Sequence, residues 1–334
     1  MKLLCICDSP AYSSPKLEVP IFYQHLALDS RVDFFHVPTP YVLQQGLNPQ
    51  KVTVAAIEGE LSYQAFLQLQ QEAQLSYALS HFDLVFCRTL KPFPPGYLEL
   101  LSSWEKQVHF VNRPSNKIEQ MRPHFLLEAA SEFTPEILVT NQAEEIELFC
   151  DRHQIIVAKQ ANSCGGRGVF KVWYQDKLWH VDNLLAGTRE FADCELVMSY
   201  LLARQSEPLL LMPYLKGVGA GDKRVIVVDG EIYGSYIRRS RSGYWVNNVS
   251  GDGDCFLAEI SEGEQEAIEK TVGYYRDRDL LTLGYDFLLD ETGNWRISEI
   301  NAGNIGGFAR LEMLTGKPIM RRFTSWLIEF ALSR

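Results

Sequence analysis

Short, compact apolar runs alternate with amphipathic stretches along this chain, and that rhythm sets the first expectations. Met1–Cys7, Val32–Val37 and Leu84–Cys87 are apolar runs bounded by turn residues, the pattern of strands buried on both faces. Between them, Tyr63–Leu79 carries apolar residues at helical spacing. Val108–Val111 reads as another strand, Asn112–Ser115 as a turn, and Lys117 to about Ala130 as a helix. Residues 1–111 are therefore expected to form an open α/β domain. Asp8-Ser9-Pro10 and Ser13-Ser14-Pro15 would lie at the C-terminal end of its first strand, where such sheets carry binding loops.

The pattern then changes. Ile137–Thr140 is a short strand, and Ala143–His153 a helix with acidic residues in its first turns, which suits the helix dipole. Gln154–Lys159 is a strand ending in a cation, followed by the small, flexible Ala161–Gly168 and the strand Val169–Trp173. Glu195–Leu202 fits a strand or a helix. Leu209–Leu215 reads as a buried strand interrupted at Pro213, and such extended backbone beside a pocket can read an adenine edge through its N–H and C=O groups. Asp222–Val228, the turn Asp229-Gly230 and Glu231–Tyr233 are a hairpin signal. Ser240–Trp245 is polar and basic, the composition of a mobile flap, and Asn247–Gly253 continues as a polar loop. Ser261–Arg278 is a helix, with Ser261 as N-cap and Glu264 at the capping-box spacing. Tyr285–Leu289 and Trp295–Ile300 flank the turn residues Asp290–Asn294 as a second hairpin, and Lys317–Leu332 is a closing helix.

Composition narrows the class. The chain has 334 residues, 46% of them hydrophobic, enough for two or three structural units. No apolar run approaches the roughly 18 residues a membrane span needs. The cysteines are odd in number and scattered, with no CxxC pair, which fits a reducing cytoplasm better than a disulfide framework or zinc site. A net charge of −10 argues against nucleic-acid and anionic-membrane partners, although Arg238-Arg239-Ser240-Arg241 is a local basic cluster.

Three features carry candidate chemistry. Glu299 and Asn301 share a strand face, with Ile300 turned away, and Asp286 on the paired strand can meet them. Two carboxylates and an amide oxygen are a hard ligand set suited to magnesium. The same residues also fit a solvated acidic hairpin. Secondly, Lys159 followed by Cys164-Gly165-Gly166-Arg167-Gly168 could cradle phosphate through backbone N–H groups, or be a plain hairpin loop with a surface lysine. Thirdly, Arg224 and Arg239 lie on the two arms of the first hairpin and suit carboxylate or phosphate. Arg88–Gly96, proline-rich with two cations, fits a substrate-facing loop and a stiff connection equally. Cys164 is read as a small loop residue. His36, His81, His109 and His180 show no metal spacing.

Lys159, the CGGRG loop, GDKRVIVVDGE, NNVSGDG and GYDFLLDETGNWRISEIN together resemble the ATP-grasp ligases, in an order most like bacterial glutathione synthetases. The resemblance runs from about Val111 onward and includes VNRPS, FTPEILVT and VAKQ. It implies an α/β fold, α+β in its C-terminal part: an N-terminal domain over 1–111, a small central lid over 112–204 and a C-terminal domain with antiparallel sheet over 205–334. It also implies ATP and magnesium, with manganese as the other candidate ion. Lys159, Gly165, Gly166 and Gly168 would hold phosphates, Met212, Tyr214, Leu215 and Asp222 the rest of the nucleotide, and Asp286, Glu299 and Asn301 the metal. Arg224 and Arg239 would stabilise the transferring phosphoryl group, and Asn248 would stand near the phosphates. The implied reaction joins a small-molecule or peptide carboxylate to an amine through an acyl phosphate, as in forming glutathione from γ-glutamylcysteine and glycine. Another acceptor pair, or nucleotide binding without turnover, are the alternatives; homo-oligomerisation is suggested by the family alone. The sequence departs from the family where His124 replaces a phosphate-contacting lysine, for which Arg122 or Lys117 could substitute. It departs again at Ala302–Gly307, next to the expected substrate position.

Overall fold

The computed structural model describes every residue except 48, 70–74, 204 and 248–252. Among the described residues the strands form three sheets. The first contains β1 (Lys2–Cys7), β2 (Asp33–Pro38), β3 (Val52–Ile57), β4 (Leu75–Tyr77), β5 (Leu84–Cys87) and β6 (His109–Val111), in the order β4-β3-β2-β1-β5-β6. β1 pairs in parallel with β2 and β5, and β5 with β6, while β3 and β4 add antiparallel at the edge. The parallel strands are buried on both faces: Leu3, Cys5 and Cys7 enter one core, Leu4 and Ile6 the other. Helices α1 (Glu18–Ala27), α2 (Thr39–Gln44), α3 (Tyr63–Gln68) and α4 (Tyr97–Trp104) complete this part.

Two helical expectations are corrected here. Of the described residues in Tyr63–Leu79, Tyr63–Gln68 are α-helical and Leu75–Tyr77 is a strand, because pairing with the alternating run Val52–Ile57 outweighs local periodicity. The expected single helix from Lys117 is two, α5 (Pro114–Gln120) and α6 (Pro123–Ala130). Pro123 lacks an N–H and would clash with the preceding turn, so it opens the second helix instead of continuing the first.

The central sheet runs β11-β10-β9-β8-β12-β7, with β7 (Leu138–Thr140), β8 (Ile155–Lys159), β9 (Val169–Gln175), β10 (Leu178–Asn183), β11 (Gly187–Phe191) and β12 (Leu209–Pro213). Helix α7 (Ala143–His153) packs beneath it with α8 (Cys194–Leu202), whose N-terminus is capped by Asp193 accepting the Leu196 N–H at 2.9 Å. That cap resolves the ambiguous 195–202 stretch as helix. β12 pairs with β8 and β7, so this strand joins the central sheet although it follows the expected boundary at 204/205.

The third sheet is antiparallel throughout: β15 (Gly253–Ala258), β14 (Glu231–Ser240), β13 (Asp222–Val228), β16 (Thr282–Leu289) and β17 (Trp295–Ala302), in that order. Both expected hairpins are present. Helix α9 (Glu262–Arg276) begins with the expected capping box of Ser261 and Glu264. The last helices, α10 (Phe308–Thr315) and α11 (Ile319–Leu332), cross back to cover the Leu3/Cys5/Cys7 face of the first sheet. Phe22, Phe308 and Phe323 meet there, with ring centroids 4.5 to 5.8 Å apart.

Candidate active site

The loops of all three sheets converge on one cavity of about 460 Å³. Lys159, Gly165, Gly166, Gly168, Arg224, Asp286, Glu299 and Asn301 all line it, so the structure brings these sequence candidates together. An adjoining recess of about 60 Å³ is walled by Val157, Met212, Tyr214, Leu215 and Trp245, and shares Lys159, Asp286 and Glu299 with the cavity. Two backbone groups expected to be free there are already engaged. Tyr214 N–H donates to Ile155 O at 3.0 Å, and Leu215 O accepts from Val218 N–H at 3.1 Å.

Asp286 is the electrostatic centre. It sits on β16 opposite Glu299 on β17, where Phe287 pairs with Ile297 and Ser298 becomes an extra, bulged residue. Asp286 is 2% exposed; Arg224 grips both its oxygens, Arg238 Nη2 reaches Oδ1 at 2.7 Å and Asn301 Nδ2 reaches Oδ2 at 3.1 Å. Burial alone would raise its pKa, but Arg224 and then Arg238 outweigh that and hold the carboxyl below its ordinary value. The same Arg238 Nη2 bridges to Asp222 Oδ2 at 2.7 Å. Asp222 goes the other way: burial raises its pKa further than Arg238 lowers it, and its Oδ1 has no partner among the described residues.

Arg239, expected in the site, is exposed and donates to Ala220 O at 3.0 Å. Its neighbour Arg238 lines the cavity instead. The cause is a bulge: Ile226 pairs with Gly234 and Val227 with Ile232, leaving Tyr233 extra. A regular two-residue hairpin would place odd-numbered residues beside Arg224, and one inserted residue exchanges the faces.

Lys159 ends β8, and its Nζ donates to Ser298 O at 2.8 Å, tying the central sheet to the bulge of the third. The glycine loop beyond it needs its glycines. Gly165 and Gly166 have φ of 62° and 75°, and a Cβ on Gly168 would lie 2.5 Å from the Ser163 side chain. The loop is hooked to the 91–93 segment that follows β5, where Cys164 Sγ donates to Lys91 O at 3.0 Å and Phe93 N–H donates to Asn162 Oδ1 at 3.3 Å. The expected flap is anchored too: Tyr244 Oη and Trp245 Nε1 donate to Asp182 Oδ2 at 2.8 and 2.6 Å.

His124 is exposed and does not line the cavity, whereas Arg122 and Lys117 do. Asn248 lies outside the described residues. Among the described residues no cluster of three His, Cys, Asp or Glu side chains could hold a metal. A divalent ion here would rely on two carboxylates and the Asn301 amide. The donor types fit, since Glu299 lines the cavity with no ion pair or hydrogen bond among the described residues, a half-buried carboxylate open to a cation. Arg238 and Glu18 are cavity residues that the sequence reading did not assign to the site, and Lys117 entered it only as a stand-in at the His124 position; register counting cannot see the bulge that selects Arg238.

The model of the prokaryotic glutathione synthetase ATP-grasp domain matches residues 124–316. This chain belongs to that family. The ATP-grasp fold and the class of ATP-dependent ligase expected from the sequence are thereby established. Among curated relatives, the chain is 24% identical over 259 residues to the glutathione synthetase of Neisseria meningitidis serogroup A, covering 76% of this chain and 75% of that one. It is 27% identical over 248 residues to the Mesorhizobium japonicum enzyme, covering 73% and 72%. The ATP-grasp architecture extends to more distant structures. The D-cycloserine synthetase DcsG superposes with a TM-score of 0.67 at 10% identity over 99% of this chain and all of that one. The D-alanyl-alanine synthetase A of Vibrio cholerae gives 0.65 at 14% identity, covering 100% and 98%. No helix among the described residues of this ATP-grasp protein is long and apolar enough to cross a membrane.

Proposed function

We propose that the chain is a carboxylate–amine ligase of the glutathione synthetase type, joining γ-glutamylcysteine to glycine with Mg–ATP. The observation that carries this reading is the convergence of Lys159, the glycine loop, Arg224, Arg238 and the Asp286–Glu299–Asn301 wall on one cavity. Phosphoryl transfer needs in-line positioning and charge neutralisation more than a nucleophilic side chain, and this inventory supplies both. The acid's carboxylate oxygen attacks the γ-phosphorus, the bond to the β-phosphate oxygen breaks, and ADP leaves. The amine nitrogen then attacks the acyl carbon, a proton leaves the nitrogen, and phosphate departs.

Asp286, Glu299 and Asn301 are the residues that would hold a magnesium ion, which would supply positive charge to offset that of the phosphates. Lys159 and the loop amides orient the phosphates. Arg224 and Arg238, kept in place by Asp286 and Asp222, present fixed charge to the transferring group. Arg238 takes the role first expected of Arg239. Met212, Tyr214 and Leu215 enclose the base. The anchored Tyr244–Trp245 segment and the hooked glycine loop exclude water from the acyl phosphate.

A second acceptor chemistry is favoured by one feature. Gly303 lies against Lys117, and Gly307 N–H donates to Glu18, so the 302–307 segment is framed by charges of both signs. Purified protein with Mg–ATP, γ-glutamylcysteine and glycine is expected to release ADP and form the tripeptide, measured by coupled assay and mass spectrometry. Lys159→Ala and Glu299→Ala should each lower turnover by about a hundredfold or more. Tripeptide formation from no other source than these substrates supports the assignment; turnover only with a different acid–amine pair removes it. Unchanged turnover in both variants removes the phosphate and metal roles.

A further inference from the structure

Lys117 stands apart from the machinery above. It lies on α5, 6% exposed, with Nζ 4.4 Å from the centre of the Phe93 ring and close enough to Gly303 that a Cβ there would come within 2.2 Å. It lines the cavity, yet its ammonium makes no ion pair or side-chain hydrogen bond among the described residues. Lys91, half-buried on the same wall, likewise has no ion pair there. The Arg88 guanidinium is also nearby, its Nη2 donating to Ile305 O at 3.0 Å and its Nε without a hydrogen-bond partner among the described residues. Burial first, then the Lys91 ammonium and more weakly Arg88, pull the Lys117 pKa down to about 7.

One cation–π contact is weak beside the cost of burying an unpaired ammonium among like charges. Such an arrangement fits a site completed by an anion. Resting on the ligase reading above, we infer that Lys117 and Lys91 form an anion subsite that receives a second carboxylate of the acid substrate, remote from the carboxylate that is phosphorylated. A carboxylate placed between the two would accept charge-assisted hydrogen bonds from both, and would set the acid's orientation before phosphoryl transfer. An acid lacking that second charge would leave both ammonium groups unpaired, so the subsite selects dicarboxylic acids over monocarboxylic ones.

Glutarate and butyrate, matched except for the second carboxylate, test this by calorimetry on the full chain saturated with Mg–ADP. Wild type is expected to bind glutarate at least about tenfold more tightly than butyrate. In Lys117→Met that preference should fall to about threefold or less, and Lys91→Met, on a more exposed loop, should shrink it too, with Mg–ADP affinity kept as evidence of folding. Equal binding of the two acids by wild type overturns the subsite, as does an undiminished preference in both variants. Loss of Mg–ADP binding by wild type would instead strike the ligase reading, so the two failures are distinguishable.

Discussion

At the scale of single residues, the site turns on which side chain faces which. Arg238→Ala should lower ligase turnover by about a hundredfold, because it removes a cavity guanidinium and leaves Asp222 and Asp286 less neutralised. Arg239→Ala should change turnover by no more than about threefold, since its guanidinium faces away. Steady-state kinetics of the pair decide between the two arginines; equal losses would contradict the register. Lys117 carries a pH signature as well. Its folded pKa of about 7 lies below the ordinary 10.5, so the unfolded chain binds more protons between these values and stability rises with pH across that window. Above pH 9 the buried thiol of Cys87, pushed up by burial to about 12, works in the opposite direction. Lys117→Met should therefore stabilise the ligand-free protein by about 2 kcal/mol at pH 7 and by clearly less at pH 9, measured by urea unfolding. A gain independent of pH would show that the ammonium is not strained in the fold. Asp286, Glu299 and Asn301 were legible in the sequence because strand alternation needs no long-range information. Arg238 was not, because a single extra residue at Tyr233 is invisible to alternation.

Among the elements, those with chemical punctuation were the ones the sequence could specify. The capping box at Ser261 and Glu264 and the Asp229-Gly230 and Asp290–Asn294 turns are set by local side-chain chemistry, and they formed where expected. Leu75–Tyr77 depends on pairing with β3, an interaction between distant segments, so helical spacing misled there. The flap belongs to the same class of long-range contact. Asp182 on β10 receives hydrogen bonds from Tyr244 and Trp245, and also from Thr188 at 3.1 Å. Asp182→Ala removes the common acceptor and should speed tryptic cleavage after Arg241 about tenfold in the absence of nucleotide. An unchanged cleavage rate would mean that the segment is held by its other contacts, among them Trp245 against Tyr214 and the Arg241–Asp254 ion pair.

For the molecule as a whole, the loops of all three sheets enclose the cavity, and α10 and α11 pack against the first and the third. A ligand bound in that cavity contacts all three, so it should stabilise the assembly as one unit. Mg–ATP at about a hundred times its dissociation constant adds about 2.7 kcal/mol, a rise of several degrees in the melting temperature. Lys159→Ala should abolish most of that rise, and omission of magnesium should reduce it. A thermal scan in which wild type fails to respond to Mg–ATP would count against nucleotide binding at this site. The order of five motifs disclosed the architecture. The closing helix was legible as a helix and not by its place, because a local pattern does not report what an element covers.

That covering has a consequence for how the protein is made. The Leu3–Cys7 strand is synthesised long before Phe323 and Leu327, which seal one of its faces. Until then the nascent first sheet presents an apolar surface to the cell, a natural client for chaperones, and its core closes only once that distant helix has been made.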